Sequence, residues 1–312
     1  MKYVLGIDNG GTSFRVRALD PDGNLLGEYQ GEGCSHYQFG MEGARQRVEK
    51  NIAACLQGFG ASPTDCLYLV CGSTGCDSEE DEAILTDIYG HISGLSCPAK
   101  VLNDVQIAHY ATVGRMGLLI LAGTGSITYG RNSAGKEARV GGWPKGLMGE
   151  EGSGRYLDAL ALRYYCRYMD GCRERNELIE EIEKTVGGPG RKALMDYGQT
   201  VMEPEFSSSG LAPAVNRAAE NGNDEAVRML HQAAESLMEV AEENIKLLKL
   251  DQEETLPVGL WGGVILHSRI MREHMEERLM QKYPKARFLL PEKEAVQGAA
   301  EMALEGTRHS VF

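Results

Sequence analysis

The sequence predicts an α/β chain of two domains, for three reasons. Short apolar runs of strand character alternate with longer stretches at helical spacing, the pattern of layered sheets and helices. A glycine-rich turn with its hairpin, at Gly10 to Thr12, returns in the same form at Gly123 to Ser126. At 312 residues the chain is also longer than one typical core organises. The expected division is 1–112 and 113–292, the second carrying a helical insertion, with a C-terminal helix in 293–312 that packs back on the first domain.

The elements follow in order. Val4 to Ile7 is an apolar run and reads as a first core strand, and Asp8-Asn9-Gly10-Gly11-Thr12 is a turn. Phe14 to Leu19 alternates with period two, Pro21-Asp22-Gly23-Asn24 signals a hairpin, and Leu25 to Tyr29 is the return strand. Residues 41–59 read as a helix through Val48, Ile52, Ala53, Leu56 and Phe59. Cys66 to Cys71 is another strand, and Val101-Leu102 a further one that ends at Asn103-Asp104, with a helix from about Val105. The pattern then repeats: strand Gly117 to Leu121, turn Ala122 to Ser126, strand Ile127 to Gly130, turn Ser133 to Lys136. Thr12 precedes Gly23 by eleven positions, and Thr124 precedes Gly135 by the same eleven.

After Gly141-Gly142-Trp143 and a loop, a helix is expected from about Gly152 to Tyr168. Residues 170–250 read as mostly helical with an acidic exposed face. The strongest helix there is Ala226 to Leu250, with Leu230, Ala233, Leu237, Val240 and Ala241 near helical spacing. Leu256 to Leu260 is a strand and Trp261 to Val264 a tight turn, followed by a helix to about Tyr283. Arg287 to Leu290 is the last strand, Pro291 interrupts, and Lys293 to Leu304 is the last helix.

Charge narrows the function. A formal net charge of −13 argues against a nucleic-acid partner, which needs a basic face, and against tight binding to anionic membranes. No run is long and apolar enough to span a bilayer. Met1-Lys2 leads straight into strand-like Tyr3 to Ile7, without signal-peptide form, so a cytoplasmic protein is expected. Eight scattered cysteines form no C-x-x-C pair, and free thiols in or near the core are expected of them.

Five motifs carry the chemistry. In Gly6 to Thr12 an apolar strand runs into an acid and paired glycines. Such a turn can offer consecutive N–H groups to phosphate oxygens, Thr12 can add a hydroxyl, and Asp8 can hold Mg²⁺ through water. A hairpin that needs glycine only for geometry explains it equally well. Leu121 to Ser126 repeats the turn with Ala122 in place of the acid. Asp104, at a strand end, can accept a proton from a hydroxyl as it attacks a phosphoryl group, or it can serve as a helix N-cap. Glu150, in the stretch Gly141 to Gly154, can face a cleft and accept hydroxyl hydrogen bonds, or simply answer a helix dipole. Gly262-Gly263 could admit a flat base against the backbone.

In this order and spacing the set resembles the sugar kinase–Hsp70–actin superfamily. Within it the nearest resemblance is to the N-acetylglucosamine kinase branch of the BadF/BadG/BcrA/BcrD ATPase family. The carrying residues are Gly6 to Thr12, Asn103-Asp104, Ala122 to Ser126, Gly141 to Trp143, Met148 to Ser153 and Trp261 to Val264. The resemblance implies a duplicated ribonuclease H-like, actin-like ATPase fold with ATP in the cleft between two domains. It implies Asp104 as the general base and Asp8 as the metal site for Mg²⁺. It places the nucleotide at Asn9, Gly10, Gly11 and Thr12, at Gly123, Thr124, Gly125 and Ser126, and at Gly262 and Gly263. It places the sugar at Ser35, His36 and Tyr37, with Tyr37 where a Trp is familiar, and at Thr74, Gly75, Asn103, Gly142 and Glu150. Ile127 stands where related animal-type kinases carry Asn, so the acceptor is N-acetylglucosamine, glucosamine or the lactyl-bearing N-acetylmuramic acid. The product expected is a sugar 6-phosphate or 1-phosphate, the 6-position by resemblance. A homodimer is common among relatives.

Two rival readings share the family pattern. ATPases that activate 2-hydroxyacyl-CoA dehydratases and benzoyl-CoA reductases hold an iron–sulfur cluster between subunits and carry a Cys-Ala-x-Gly-Thr-Gly stretch. The corresponding region here is Gly149-Glu150-Glu151-Gly152-Ser153-Gly154, with no cysteine. A sugar-binding sensor without catalysis is the other rival. Retention of Asp104 speaks against it, and the chain has no basic DNA-binding segment.

Overall fold

The computed structural model describes residues 1–143, 149–201 and 210–309. The chain forms two units: Met1–Gly114 together with the described residues from Pro291 onward, and Arg115–Leu290. The first unit opens with β1 (Tyr3–Asn9), β2 (Ser13–Leu19), β3 (Leu25–Glu32), α1 (His36–Phe59), β4 (Cys66–Ser73), α2 (Glu79–Gly90), β5 (Ala99–Asn103) and α3 (Asp104–Val113). The second holds β6 (Gly117–Ala122), β7 (Ser126–Arg131), β8 (Glu137–Gly141), α4 (Gly154–Met169), α5 (Glu177–Val186), α6 (Arg191–Val201), α7 (Ala212–Glu220) and α8 (Asp224–Leu248). It ends with β9 (Leu256–Trp261), α9 (Gly263–His267), α10 (Arg269–Lys282) and β10 (Ala286–Leu289). The last helix, α11 (Ala295–His309), belongs to the first unit.

Each unit is built on a five-stranded sheet, ordered β3-β2-β1-β4-β5 in one and β8-β7-β6-β9-β10 in the other. In both, the first three strands form an antiparallel meander and the last two join it in parallel. One topology is thus used twice, as a duplicated ribonuclease H-like fold requires, and the repeat read from the two glycine turns marks its two β-hairpins.

Strand alternation sets the layers. Tyr3, Leu5 and Ile7 of β1 point to one face and pack with Val48 and Ile52 of α1 and Leu85 and Ile88 of α2. Val4 points to the other face and packs with Val70, Leu102, Ile107 and the alanines Ala299, Ala300 and Ala303 of α11. Gly6 lies on that face, where a Cβ would overlap the Ala300 backbone nitrogen, so α11 rests directly on the strand. In the second unit Leu118 and Ile120 of β6 and Val258 and Leu260 of β9 are buried against Leu230, Ala233, Leu237 and Ala241 of α8.

Several elements differ from expectation. Helix α1 is entered at His36, but Gly40 is non-helical at φ 67°, so its regular part starts where the periodicity places it. Neither α2 nor β8 stands out in the sequence. The first turn of α2 is four acidic residues, Glu79 to Glu82, and β8 is only five residues long with two apolar ones, Ala138 and Val140. The helix expected after Gly263 is two, because Ser268 ends α9 and caps α10 by accepting from the Met271 N–H at 3.4 Å. The eight cysteines are all free, four of them buried.

Candidate active site

In the first unit, parallel register brings three loops to one sheet edge. Asn9 of β1 pairs with Ser73 of β4, and Ser73 pairs with Asn103 of β5, so all three strands end in one row. The next residues along these strands meet there, at the carboxyl edge where open α/β sheets take ligands. The Thr74 N–H donates to the Asn9 carbonyl at 3.0 Å. The Thr74 hydroxyl donates to Asp104 Oδ2 at 2.6 Å.

Asp104 is the first residue of α3, and the capping is done by its neighbour. Asn103 Oδ1 accepts the Val105 N–H at 3.0 Å, and Gln106 Oε1 accepts the Asn103 N–H at 3.0 Å, a complete capping box. The Asn103 amide also donates to the Cys76 carbonyl and to Asp77 Oδ1, both at 3.1 Å. Asn103 therefore anchors the loop, and Asp104 presents its carboxylate at the helix N-terminus without capping duty.

Asp8 stands beside Asp104. Burial first, and then the negative charge of Asp104, push the Asp8 carboxyl up to about 6, while Arg15 works in the opposite direction. Two carboxylates that repel each other at a strand edge suit a hard cation, which takes oxygen ligands and keeps water. Among the described residues no group of three or more His, Cys, Asp or Glu side chains is arranged to hold a metal. Mg²⁺ would fit here on one or two carboxylates, completed by water and phosphate oxygens.

The turn after β1 is tight: the Gly10 N–H donates to the Ser13 carbonyl at 2.9 Å, and Thr12 is exposed. The Asn9 side chain turns inward instead. Its amide donates to Ser73 Oγ at 3.1 Å, and its Oδ1 accepts the Cys34 N–H at 3.0 Å, tying β1 to the loop after β3.

That loop carries the expected sugar residues. Ser35 begins α1, and its carbonyl accepts from the Gln38 and Phe39 N–H groups. The His36 and Tyr37 rings lie 4.1 Å apart, and both reach Asp81: the Tyr37 hydroxyl at 2.5 Å, His36 Nε2 at 3.4 Å. Hydrogen bonds from Ser78 and then Tyr37 hold the Asp81 carboxyl down to about 2, so it is ionised. Gly75, at φ 81°, lies against the Tyr37 ring, where a Cβ would come within 2.9 Å of the ring edge. The structure thus groups Tyr37 with Gly75, and Thr74 with Asp104. Asp81, the organiser of His36 and Tyr37, was missed by sequence reasoning because an acidic first turn looks like a solvated helix start.

In the second unit the other glycine turn is fastened to the loop before α4. The Gly154 N–H donates to the Gly123 carbonyl at 2.8 Å, the Arg155 N–H to the Thr124 carbonyl at 3.2 Å, and Ser126 Oγ to the Glu151 carbonyl at 2.7 Å. Glu150 sits at φ 72°, an uncommon backbone conformation for a residue with a side chain. Its carboxylate lies over Gly125, where a Cβ would come within 2.6 Å of Oε1. None of Gly10, Gly11, Gly123 and Gly125 has positive φ. At Gly125 glycine answers the space taken by Glu150. Gly142, at φ 71°, packs on Ile127, where a Cβ would come within 2.8 Å of Ile127 Cδ1. Pro144 and Met148 of the same motif lie outside the described residues.

Beside this turn opens a cavity of about 500 Å³, within the range of small-molecule sites. Gly123, Thr124, Gly154, Gly263, Asn216 and Ser268 line it together with Arg155, Asp158, Pro213 and Arg217. Gly263 lines the cavity. Gly262 does not line it: at φ 94° it packs on the end of β6, where a Cβ would overlap the Ala122 carbonyl oxygen. Asp158 was not foreseen. Its buried carboxylate accepts the Leu211 N–H at 2.5 Å, anchoring the start of α7 at the cavity wall. Burial raises that carboxyl to about 6 against the pull of the Leu211 N–H and the Arg155 charge.

The chain is 28% identical over 97% of its length, and 98% of the relative's, to an N-acetylmuramic acid/N-acetylglucosamine kinase of Clostridium acetobutylicum. It is 26% identical over 98% of its length, and 99% of the relative's, to an N-acetyl-D-glucosamine kinase of Dictyostelium discoideum. A solved structure of a candidate N-acetylglucosamine kinase from Chromobacterium violaceum matches with TM-score 0.76 and 25% identity, over 97% of this chain and 99% of that one. A family model matches residues 5–303, and the chain belongs to the BadF/BadG/BcrA/BcrD ATPase family.

Proposed function

We propose that the protein is an ATP-dependent kinase of an amino sugar, N-acetylglucosamine or a relative, with Asp104 as the general base. The observation that carries this reading is the pairing of Asp104 with Thr74 at the sheet edge, beside a second carboxylate, Asp8. The full-length likeness to amino-sugar kinases supports it.

In this mechanism Asp104 accepts the proton of the acceptor hydroxyl as its oxygen bonds to the γ-phosphorus, and the bond from that phosphorus to the bridging oxygen of ADP breaks. Thr74, hydrogen-bonded to Asp104, orients the carboxylate. Asp8 would hold Mg²⁺, which when bound neutralises phosphate charge. The N–H groups and hydroxyls of Gly10 to Thr12 and of Gly123 to Ser126 would take phosphate oxygens. The cavity beside Gly263 would take the nucleoside. Tyr37, His36, Gly142 and Glu150 would hold the sugar, with Asp81 fixing the first two.

A coupled ADP-release assay over glucose, glucosamine, N-acetylglucosamine, N-acetylmannosamine and N-acetylmuramic acid tests this. Asp104→Asn should lower kcat by about 10²–10⁴-fold while ATP still binds by calorimetry. Near-normal turnover in that variant would remove Asp104 from the role. Thr12→Val should weaken ATP binding without lowering Tm. A brown protein with stoichiometric iron and sulfide after anaerobic purification would favour the activator reading instead.

A further inference from the structure

The parallel strands β4 and β5 lie side by side, and each is entered at a cysteine. Cys66 is the first residue of β4, and Cys97 lies two residues before β5. Both sit in the layer shared with α1 and α2, Cys66 buried and Cys97 half-buried. Strand alternation alone would not put Cys66 there. Leu69 and Cys71 of β4 face that layer, so a regular strand would turn Leu67 to it and Cys66 away. A bulge reverses the parity: Tyr3 pairs with Cys66 and Val4 with Tyr68, which leaves Leu67 without a β1 partner. Cys66 therefore shares a cluster with Tyr3, Leu5 and Leu69, while Leu67 packs on the α11 side. The Pro98 carbonyl accepts the Leu69 N–H at 3.0 Å and fastens the segment that carries Cys97 to β4.

The two side chains meet. Cys66 has one S–H with two acceptors in reach, the Cys97 sulfur and, at 3.5 Å, the Tyr68 carbonyl. The bond from Cys66 holds the Cys97 thiol below its ordinary value against its burial. That bond first, and then burial, push the Cys66 thiol well up. The more accessible sulfur is thus the better thiolate, and the buried one stands in contact behind it.

We propose that Cys66 and Cys97 form a redox site that takes a small hydroperoxide and closes to a disulfide. The inference is independent of the kinase reading. Cys97, as thiolate, attacks one peroxide oxygen; the O–O bond breaks, and hydroxide leaves and combines with the proton that Cys97 shed. The Cys66 sulfur then attacks the sulfenic sulfur of Cys97, the S–O bond breaks, and water leaves with the Cys66 proton. The sulfurs give up one electron pair, and one hydrogen peroxide becomes two waters. A dithiol reductant reverses the bond by thiol–disulfide exchange. Sulfurs already in contact need little backbone movement to bond. The cross-link lies at the starts of β4 and β5, whereas Thr74 and Asp104 follow their ends.

The test treats the reduced full chain with a few equivalents of hydrogen peroxide, blocks remaining thiols with N-ethylmaleimide, and maps peptides without reduction. The expected result is a linked Cys66–Cys97 peptide, lighter by two hydrogens than its reduced parts and absent after dithiothreitol. Cys97→Ser should abolish the link and slow peroxide consumption by about tenfold or more. Cys172→Ser, at an exposed thiol, should leave the link in place. Cys97 found as a sulfinic acid with Cys66 still alkylated as a free thiol would overturn the site. So would Cys97 linked to Cys55 of α1, which shares the cluster. The map is read on the unmutated protein, so the site stands or falls without any variant.

Discussion

Burial first, and then the negative charge of Asp104, make the ionised Asp8 carboxylate costly at the end of its sheet. The Asp8 carboxyl titrates at about 6 in the folded chain against 3.8 as the ordinary value. Between those pH values the folded state binds more protons than the unfolded state, so this group lowers stability as pH rises through the window. The full effect is present above pH 6 and amounts to about 1–3 kcal/mol. Asp8→Asn should therefore raise Tm at pH 7, and raise it much less at pH 4.5. Added Mg²⁺ should stabilise the native protein at pH 7 more than this variant. Identical pH dependence in the two proteins would show that Asp8 is not the strained group. Asp104 stands out in the sequence as a carboxylate at a strand end, and the capping box shows that its neighbour Asn103 does the capping of α3. Asp81 was not legible, since its role exists only where the chain brings His36 and Tyr37 to α2 from a distant loop.

At the scale of elements, the two β-hairpins were readable because a glycine turn between alternating strands is a local signal. The walls of the cavity beside Gly263 were not. Asn216 and Arg217 of α7 and Ser268 at the start of α10 come together through helix packing, which no short window of sequence records. The strand β8 was hard to see because it is a short edge strand with only two apolar residues, Ala138 and Val140, both half-buried. The junction between the second turn and the loop before α4 makes its own prediction. Gly125→Ala would drive a methyl group into the Glu150 carboxylate. The flexible carboxylate can move aside, so stability should fall by no more than about 1 kcal/mol. KM for the sugar should rise severalfold while ATP affinity changes less, as steady-state kinetics with each substrate varied would show. The reverse pattern would place Glu150 away from the sugar. Gly262→Ala belongs to a different class. Its positive φ and its backbone neighbour leave nothing to yield, so a loss of about 2–4 kcal/mol is expected in urea unfolding.

For the whole molecule, duplicated topology accounts for most of what the sequence showed: the same turn, hairpin and spacing occur twice because the same sheet is built twice. The exception is α11, encoded after the second unit yet covering Val4, Val70, Leu102 and Ile107 of the first. A chain ending at Leu290 would expose that face. It should lose protection from limited proteolysis across 1–114, and lose cooperative unfolding of that unit. Unchanged protection there would mean that the alanine face of α11 is dispensable.

The interrupted order of the first unit has a consequence for biosynthesis. A ribosome finishes its fifth strand well before it begins the helix that closes the sheet, and at ordinary elongation rates roughly 10–40 s separate the two. During that interval the nascent sheet carries an uncovered aliphatic face while the second unit is still emerging. Chaperone capture during translation, followed by late release, is the expected history of this polypeptide.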